Sequence, residues 1–224
     1  MGELFTFFGL ISHDKTFIFM THMLLSAGIA LLLVRMAMAN LQVVPKGAQN
    51  FMEAYINGVL QMGTDVMGRS HARKYVALVA TIGLFVGIAN LVGVVPGFEA
   101  PTAFLEMPLA LAITVFVYYN YVGIKAHGVV NYFKHFLGPV WWLYWLMFPI
   151  EIVSHFSRLV SLSFRLFGNV KGDDMFLMVI LMLAPWLLPM IPFALLTFMA
   201  FLQAFIFMML TYVYLGGAIA VEEH

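Results

Sequence analysis

The sequence predicts an all-α polytopic membrane protein of about five crossings, the last two forming a long tilted helical hairpin, with an amphipathic helix on the cytoplasmic surface. Three observations carry this fold class. Of the 224 residues 63% are hydrophobic and 10% charged, against roughly 45–50% apolar and about 25% charged in soluble domains. Residues free of Asp, Glu, Lys and Arg form runs at 16–34, 75–98, 107–124, 135–150 and 175–221, where a crossing needs about 20 apolar residues. Seventeen Met and 22 Phe suit lipid-facing and helix-packing surfaces. The absence of Cys excludes disulfides, thiolate metal sites and a cysteine nucleophile.

The first span is expected at 17–37. Ahead of it the chain carries Glu3 and no early Lys or Arg, unlike the cationic start of a cleaved signal peptide, so this span should stay. Residues 46–72 read as an amphipathic helix with Met and Leu on one side; a plain connector fits the same stretch. Spans follow at 76–96, closed by Gly and Pro in VVPGFEAP, and at 107–124, closed by Lys125. Residues 140–184 read as one helix of about 65 Å at 1.5 Å per residue. Such a helix must tilt strongly, bend near Pro149 or lie partly along the surface. Pro185, Pro189 and Pro192 place a turn before a last helix at 193–217. Residues 1–224 form one membrane domain in this reading.

Basic residues set the orientation. Arg35, Lys46, Arg69, Arg73 and Lys74 surround the connection after the first span, and Lys125 and Lys134 follow the third, so those sides are cytoplasmic. The connection 97–106 carries Glu99 and Glu106 and no cation, which places it, with the N-terminus, outside and the C-terminal AVEEH inside. Lys+Arg and Asp+Glu are 11 each, which gives no reason to expect a nucleic-acid partner.

Within 151–169 the polar side chains are Glu151, Ser154, His155, Arg158, Ser161, Ser163, Arg165 and Asn169. At 100° per residue Glu151, Ser154, Arg158, Ser161 and Asn169 fall within about 40° of Arg165, with His155 at the margin and Ser163 off the face. The stripe rises about 27 Å, close to the hydrocarbon thickness. A surface helix with snorkelling cations would also show such a stripe. The apolar flanks WWLYWLMFPI and MFLMVILMLAPWLL, and the habit of intramembrane arginines to face a partner or a watery cavity, favour an ion path. Arg165 has no acid one turn away on its own helix, and the last helix offers only the amide of Gln203. A desolvated guanidinium without a carboxylate is expensive, so the missing acid is expected on another subunit.

Other classes compete. A secondary transporter should show two related halves, yet the RLFGN stretch has no counterpart in 1–112. An intramembrane enzyme or haem protein could use His22 and His155, but neither HExxH nor GxSxG is present. A partner-binding protein without transport would not need Arg165.

The stretch SLSFRLFGN (161–169), then LQAFIFM from Leu202, Tyr214-Leu, and the terminal Glu222-Glu223-His224 resembles subunit a of the rotary F-type ATP synthase. The resemblance implies a stator beside a rotating ring of c subunits, held by the b subunits of a peripheral stalk, embedded in lipid, with the proton as the transported ion. Arg165 matches the family's essential arginine, which meets each ring carboxylate in turn and blocks a direct leak between two half-channels. Asn169 and Gln203 match polar residues beside it, Asn90 in NLVGVVP matches the asparagine of the outer access path, and Glu151 and Ser154 match positions on the tilted helix. His155, Arg158 and Ser161 complete the expected half-channel lining. The family often has an outer acid beyond the arginine, and Asp174 occupies that place with Asp173 beside it. Its partner position on the last helix is Leu196 here, and where the family often has Asp after the asparagine stands Gly93. Glu106, Asp173 and Asp174 are therefore the expected acids of proton entry. Lys171 neutralising the two aspartates as a headgroup cluster is the alternative for that stretch. No catalytic residue, metal or cofactor is expected, and the short N-terminus without a targeting peptide leads to the expectation of a bacterial inner membrane, though an organelle-encoded chain would look similar.

Overall fold

The computed structural model describes residues 6–10, 14–39, 41–129, 132, 144–183 and 190–219. Among them the chain is helical throughout, with no strand. The six long helices are α1 Lys15–Met38, α2 Ala48–Met67, α3 Arg69–Val94, α4 Glu106–His127, α5 Tyr144–Leu183 and α6 Met190–Ile219. The expected turn around Pro185 and Pro189 and the acidic C-terminus lie outside the described residues.

Each helix boundary has a local cause. Asp14 caps α1 by accepting from the Thr16 N–H at 3.1 Å. Gly68 separates α2 from α3 at φ 77°, a left-handed conformation that only glycine adopts without strain, and its N–H donates to Thr64 O. A long amphipathic stretch is thereby broken into α2 and the start of a membrane helix. Glu106 in the first turn of α4 and Lys125 and His127 in its last complement the helix dipole.

By length and apolarity α1, α3, α4 and α6 suffice to cross a membrane. α5 is long enough, about 60 Å at 1.5 Å per residue, but it carries Glu151, Arg158, Arg165, Lys171, Asp173 and Asp174. Pro149 sits inside its second turn without ending it; the missing N–H removes one intrahelical bond near the helix start.

α3 is the central helix, packing against α1, α2 and α6, while α4 packs against both α5 and α6. Small residues bring α3 close to its neighbours. A Cβ on Gly83 would meet the Met208 sulfur and the Tyr55 hydroxyl, the latter at 2.9 Å. Tyr55 in turn donates to Ala80 O at 2.8 Å, joining α2 to α3. The shared core of α2 to α6 centres on Val59, Val86, Tyr119, Leu166, Phe207 and Tyr212. α1 is more peripheral, burying Ile18, His22 and Ser26 along one face and leaving Leu24, Leu31 and Leu32 exposed.

The connection between α3 and α4 folds back over the helix ends. Thr102 is fully buried and donates to Asn90 Oδ1 at 2.6 Å. His22 links the connection to α1. Its Nδ1 lies 2.7 Å from Ile18 O and its Nε2 accepts the Glu99 N–H at 3.1 Å. A carbonyl only accepts and an amide N–H only donates, so the ring is neutral with its proton on Nδ1. Edge contacts from Phe8 and Phe98 enclose it. His22 is thus a satisfied packing residue, which removes one of the two histidines that a haem or enzyme reading needs.

Candidate functional site: an exposed arginine between two polar clusters

The polar stripe of α5 runs along the seam between its packed and open faces, rather than along one uniform face. Ser161 and Arg165 are exposed, whereas Glu151, Ser154, His155, Arg158 and Asn169 are half-buried toward neighbouring helices and Ser163 is buried. Leu162 and Leu166, on the packed side, enter the core. Arg165 has no ion pair or hydrogen bond among the described residues. On its own helix the exposed residues nearest to it by helical angle are Ser161 and Gly168, with exposed Phe164 to one side.

One turn beyond, Asn169 Nδ2 donates to Gln203 Oε1 at 2.7 Å. Gln203 is buried, so this amide pair fixes α5 against α6 beside the arginine. The same two residues form part of the wall of a cavity of about 350 Å³, counting its open mouth, together with Asn90, Asp173, Asp174 and Leu196. Asn90 Nδ2 and Asp174 Oδ2 are buried without a hydrogen-bond partner among the described residues, a donor and an acceptor on one cavity. Asp174 lies nine residues after Arg165, half a rotation around the helix, which turns it inward while the arginine faces out.

Gly93 and Leu196 also line this cavity. A Cβ on Gly93 would meet the Ala100 methyl and lie 2.8 Å from the Ala100 backbone nitrogen. No larger side chain fits there unless the α3–α4 connection moves, so carboxylates reach this cavity from α5. Glu106 is not among its lining residues; it is exposed at the start of α4. The acid that the connection does bring to α5 is Glu99, whose Oε1 is 3.4 Å from Lys171 Nζ. Lys171 therefore pairs across to the connection, and its charge also acts on Asp174 on its own helix.

The second cluster lies toward the N-terminal end of α5. His155 Nδ1 is 2.8 Å from the Tyr119 hydroxyl, and its Nε2 is 3.5 Å from Glu151 Oε1. The His155 and Tyr119 rings stack with centroids 5.8 Å apart. Arg158 sits 5.7 Å over the Tyr214 ring, a cation–π contact that holds the guanidinium against α6. Sequence reasoning missed Tyr119, Thr102 and the pairing of Glu99, and it named Tyr214 only within the family motif, without its contact to Arg158. Only YYNY in α4 signalled an unusually polar aromatic patch.

These features define a class: a helical, multi-pass membrane protein that, among its described residues, presents an exposed, unpaired arginine between two polar clusters. The ATP synthase A chain family matches residues 18–216, nearly the whole chain. The chain is 85% identical over the full length of both proteins to ATP synthase subunit a of Sulfurimonas denitrificans. It is 59% identical to that of Nitratiruptor sp., over 100% of this chain and 99% of the relative, and 59% identical to that of Helicobacter hepaticus, over 99% and 98%. The chain belongs to the ATP synthase subunit a family, a membrane-sector component of the F-type enzyme.

Proposed function

We propose that this chain is the non-catalytic, proton-conducting stator of the membrane sector, with two aqueous half-channels that meet at Arg165. The observation that carries the reading is the exposed arginine, unpaired among the described residues, on a helix of the membrane domain. A guanidinium in lipid is costly without a partner, so this surface suits a second protein that carries a carboxylate, namely the c-ring. The cavity of Asn90, Asp173 and Asp174 is the half-channel toward the outer face, and the Glu151, Ser154, His155 and Arg158 cluster is the half-channel toward the cytoplasm, with Ser161 between it and the arginine. Buried but partnerless polar atoms at Asn90 and Asp174 suit a water-lined route.

Arg165 favours the ionised ring carboxylate and so strips its proton as the site arrives. Near 4 Å the attraction is about 4 kcal/mol at an effective dielectric of 20, strong enough to select the charged form and weak enough for rotation to carry the site on. Protons enter from one half-channel and leave by the other, and the arginine between them prevents a direct leak. The α5–α6 pair lies tilted against the ring and crosses the bacterial inner membrane, with the N-terminus outside and the C-terminus inside. The exposed part of α2 and the peripheral helix α1 offer surface to the b subunits.

The test uses the absence of native Cys. A single Cys at exposed Ser161 or Gly168, against Cys on the carboxylate-bearing helix of the c subunit, should form a disulfide in the assembled complex. A cross-link only within this chain, or retention of ATP-driven proton pumping in Arg165→Ala, overturns the proposal.

A further inference from the structure

Tyr119 projects from α4 into the packed side of α5 and is 2% exposed. Its hydroxyl meets His155 Nδ1 while the phenol ring stacks on the imidazole, so one side chain bears on both the position and the plane of the ring. The opposite nitrogen, Nε2, is thereby aimed at Glu151, the more exposed member of the group at 34% against 11% for His155. Among the described residues, the charged and titratable groups around the imidazole are Glu151 and Arg158 on α5, Tyr119 and, within electrostatic reach of Arg158 and Glu151, Tyr132 after α4, and Tyr214 on α6.

We infer that Tyr119 is a positioning residue of the cytoplasmic proton path, committing His155 Nδ1 to the phenol so that Nε2 exchanges a proton with the Glu151 carboxylate. In the exchange Nδ1–H donates to the tyrosine oxygen throughout. Nε2 takes a proton from the path, giving the imidazolium; the Nε2–H bond then breaks as the proton passes to Glu151 Oε1, leaving neutral imidazole and a protonated carboxyl that releases the proton toward the cytoplasm. One proton enters and one leaves. Without the phenol the proton is free to sit on either nitrogen, and the tautomer and ring orientation presented to Glu151 are no longer fixed. Arg158, drawn aside onto Tyr214, does not sit between the two partners.

This inference rests on the reading of the Glu151–Arg158 cluster as the cytoplasmic half-channel. The experiment measures ATP-driven proton pumping by the complete complex in inverted vesicles while the pH on the cytoplasmic side is varied. Wild type should show an inflection where imidazole titrates, ordinarily about pH 6.5. His155→Gln should abolish that inflection and slow pumping about tenfold or more. Glu151→Gln should move it. Tyr119→Phe keeps the stacked ring and should lower pumping several-fold while changing the pH profile, with the amount of assembled complex at the wild-type level. A Tyr119→Phe profile that superimposes on wild type, or a His155→Gln profile that keeps the inflection, overturns the inference. Arg165→Ala, run in parallel, separates the two levels: pumping lost there but unaffected by the His155 and Tyr119 variants leaves the stator standing and removes only the relay.

Discussion

Asn169 and Gln203 join α5 to α6 through a 2.7 Å hydrogen bond one turn from Arg165. With Gln203 buried, its amide has no bulk water to fall back on, so losing Asn169 strands it at a cost of about 1–3 kcal/mol. Asn169→Leu and Gln203→Leu should each reduce coupled proton pumping, and the double variant should do little worse than either. Additive losses in a double-mutant cycle of pumping rates would mean that the two residues act separately.

Much of this architecture was legible because membrane helices announce themselves by composition. Charge-free runs marked the helices α1, α3, α4 and α6 that are apolar enough to cross, since in lipid a span must satisfy its own backbone. The motif around Arg165 and Gln203 identified the family. Less legible was how the stripe divides between faces, because helical periodicity gives an angle but not which neighbour covers it. Glu106 and Glu99 illustrate this. Both are acids in the same connection, yet only the fold of the Pro101–Ala103 turn sends Glu99 to Lys171 and leaves Glu106 outside. Tyr119 was hidden for the same reason: its partner His155 is 36 residues away.

The Lys171–Glu99 pair holds the connection over the outer cavity. Lys171 is 44% exposed and Glu99 19%, so the pair itself contributes modestly, on the order of 0–1 kcal/mol, and its role is to set where the charges stand. Glu99→Lys and Lys171→Glu should each slow ATP synthesis by placing like charges together, and the combined exchange should recover most of the rate. Absence of recovery in the double variant, with the complex assembled normally, would show that these residues do not act as a pair.

Tyr55 on α2 is a donor to Ala80 O and touches the Met208 sulfur. Burial, reinforced by the nearby Tyr212, raises its hydroxyl well above the usual phenol range, which keeps it a protonated donor. A raised value favours the neutral folded form, so its contribution is whole below the reference value of 10.0 and declines as the pH rises beyond it. Tyr55→Phe should cost about 1 kcal/mol and flatten the stability loss above pH 10. Thermal melting of the purified complex at pH 8 and pH 10.5 checks both; an equal alkaline loss in the variant contradicts the assignment.

Gly93 lines the outer cavity, and the fold leaves no room there for a side chain. The Ala100 backbone lies 2.8 Å from where a Cβ would be built, and Ala100 itself is 2% exposed beside the Asn90–Thr102 bond. Gly93→Ala already forces the connection outward, for which overpacking of this kind costs about 1–3 kcal/mol, and Gly93→Asp adds a carboxylate that must be desolvated in the same space. Both variants should melt earlier, the aspartate more so. On the proposed reading the carboxylates of the outer path stand on α5, so Asp174→Asn should slow ATP synthesis in the wild-type background and Gly93→Asp should fail to rescue it. Rescue, measured as the synthesis rate of the Gly93→Asp, Asp174→Asn double variant against Asp174→Asn alone, would mean that the connection yields easily and that the outer path tolerates its acid on either helix.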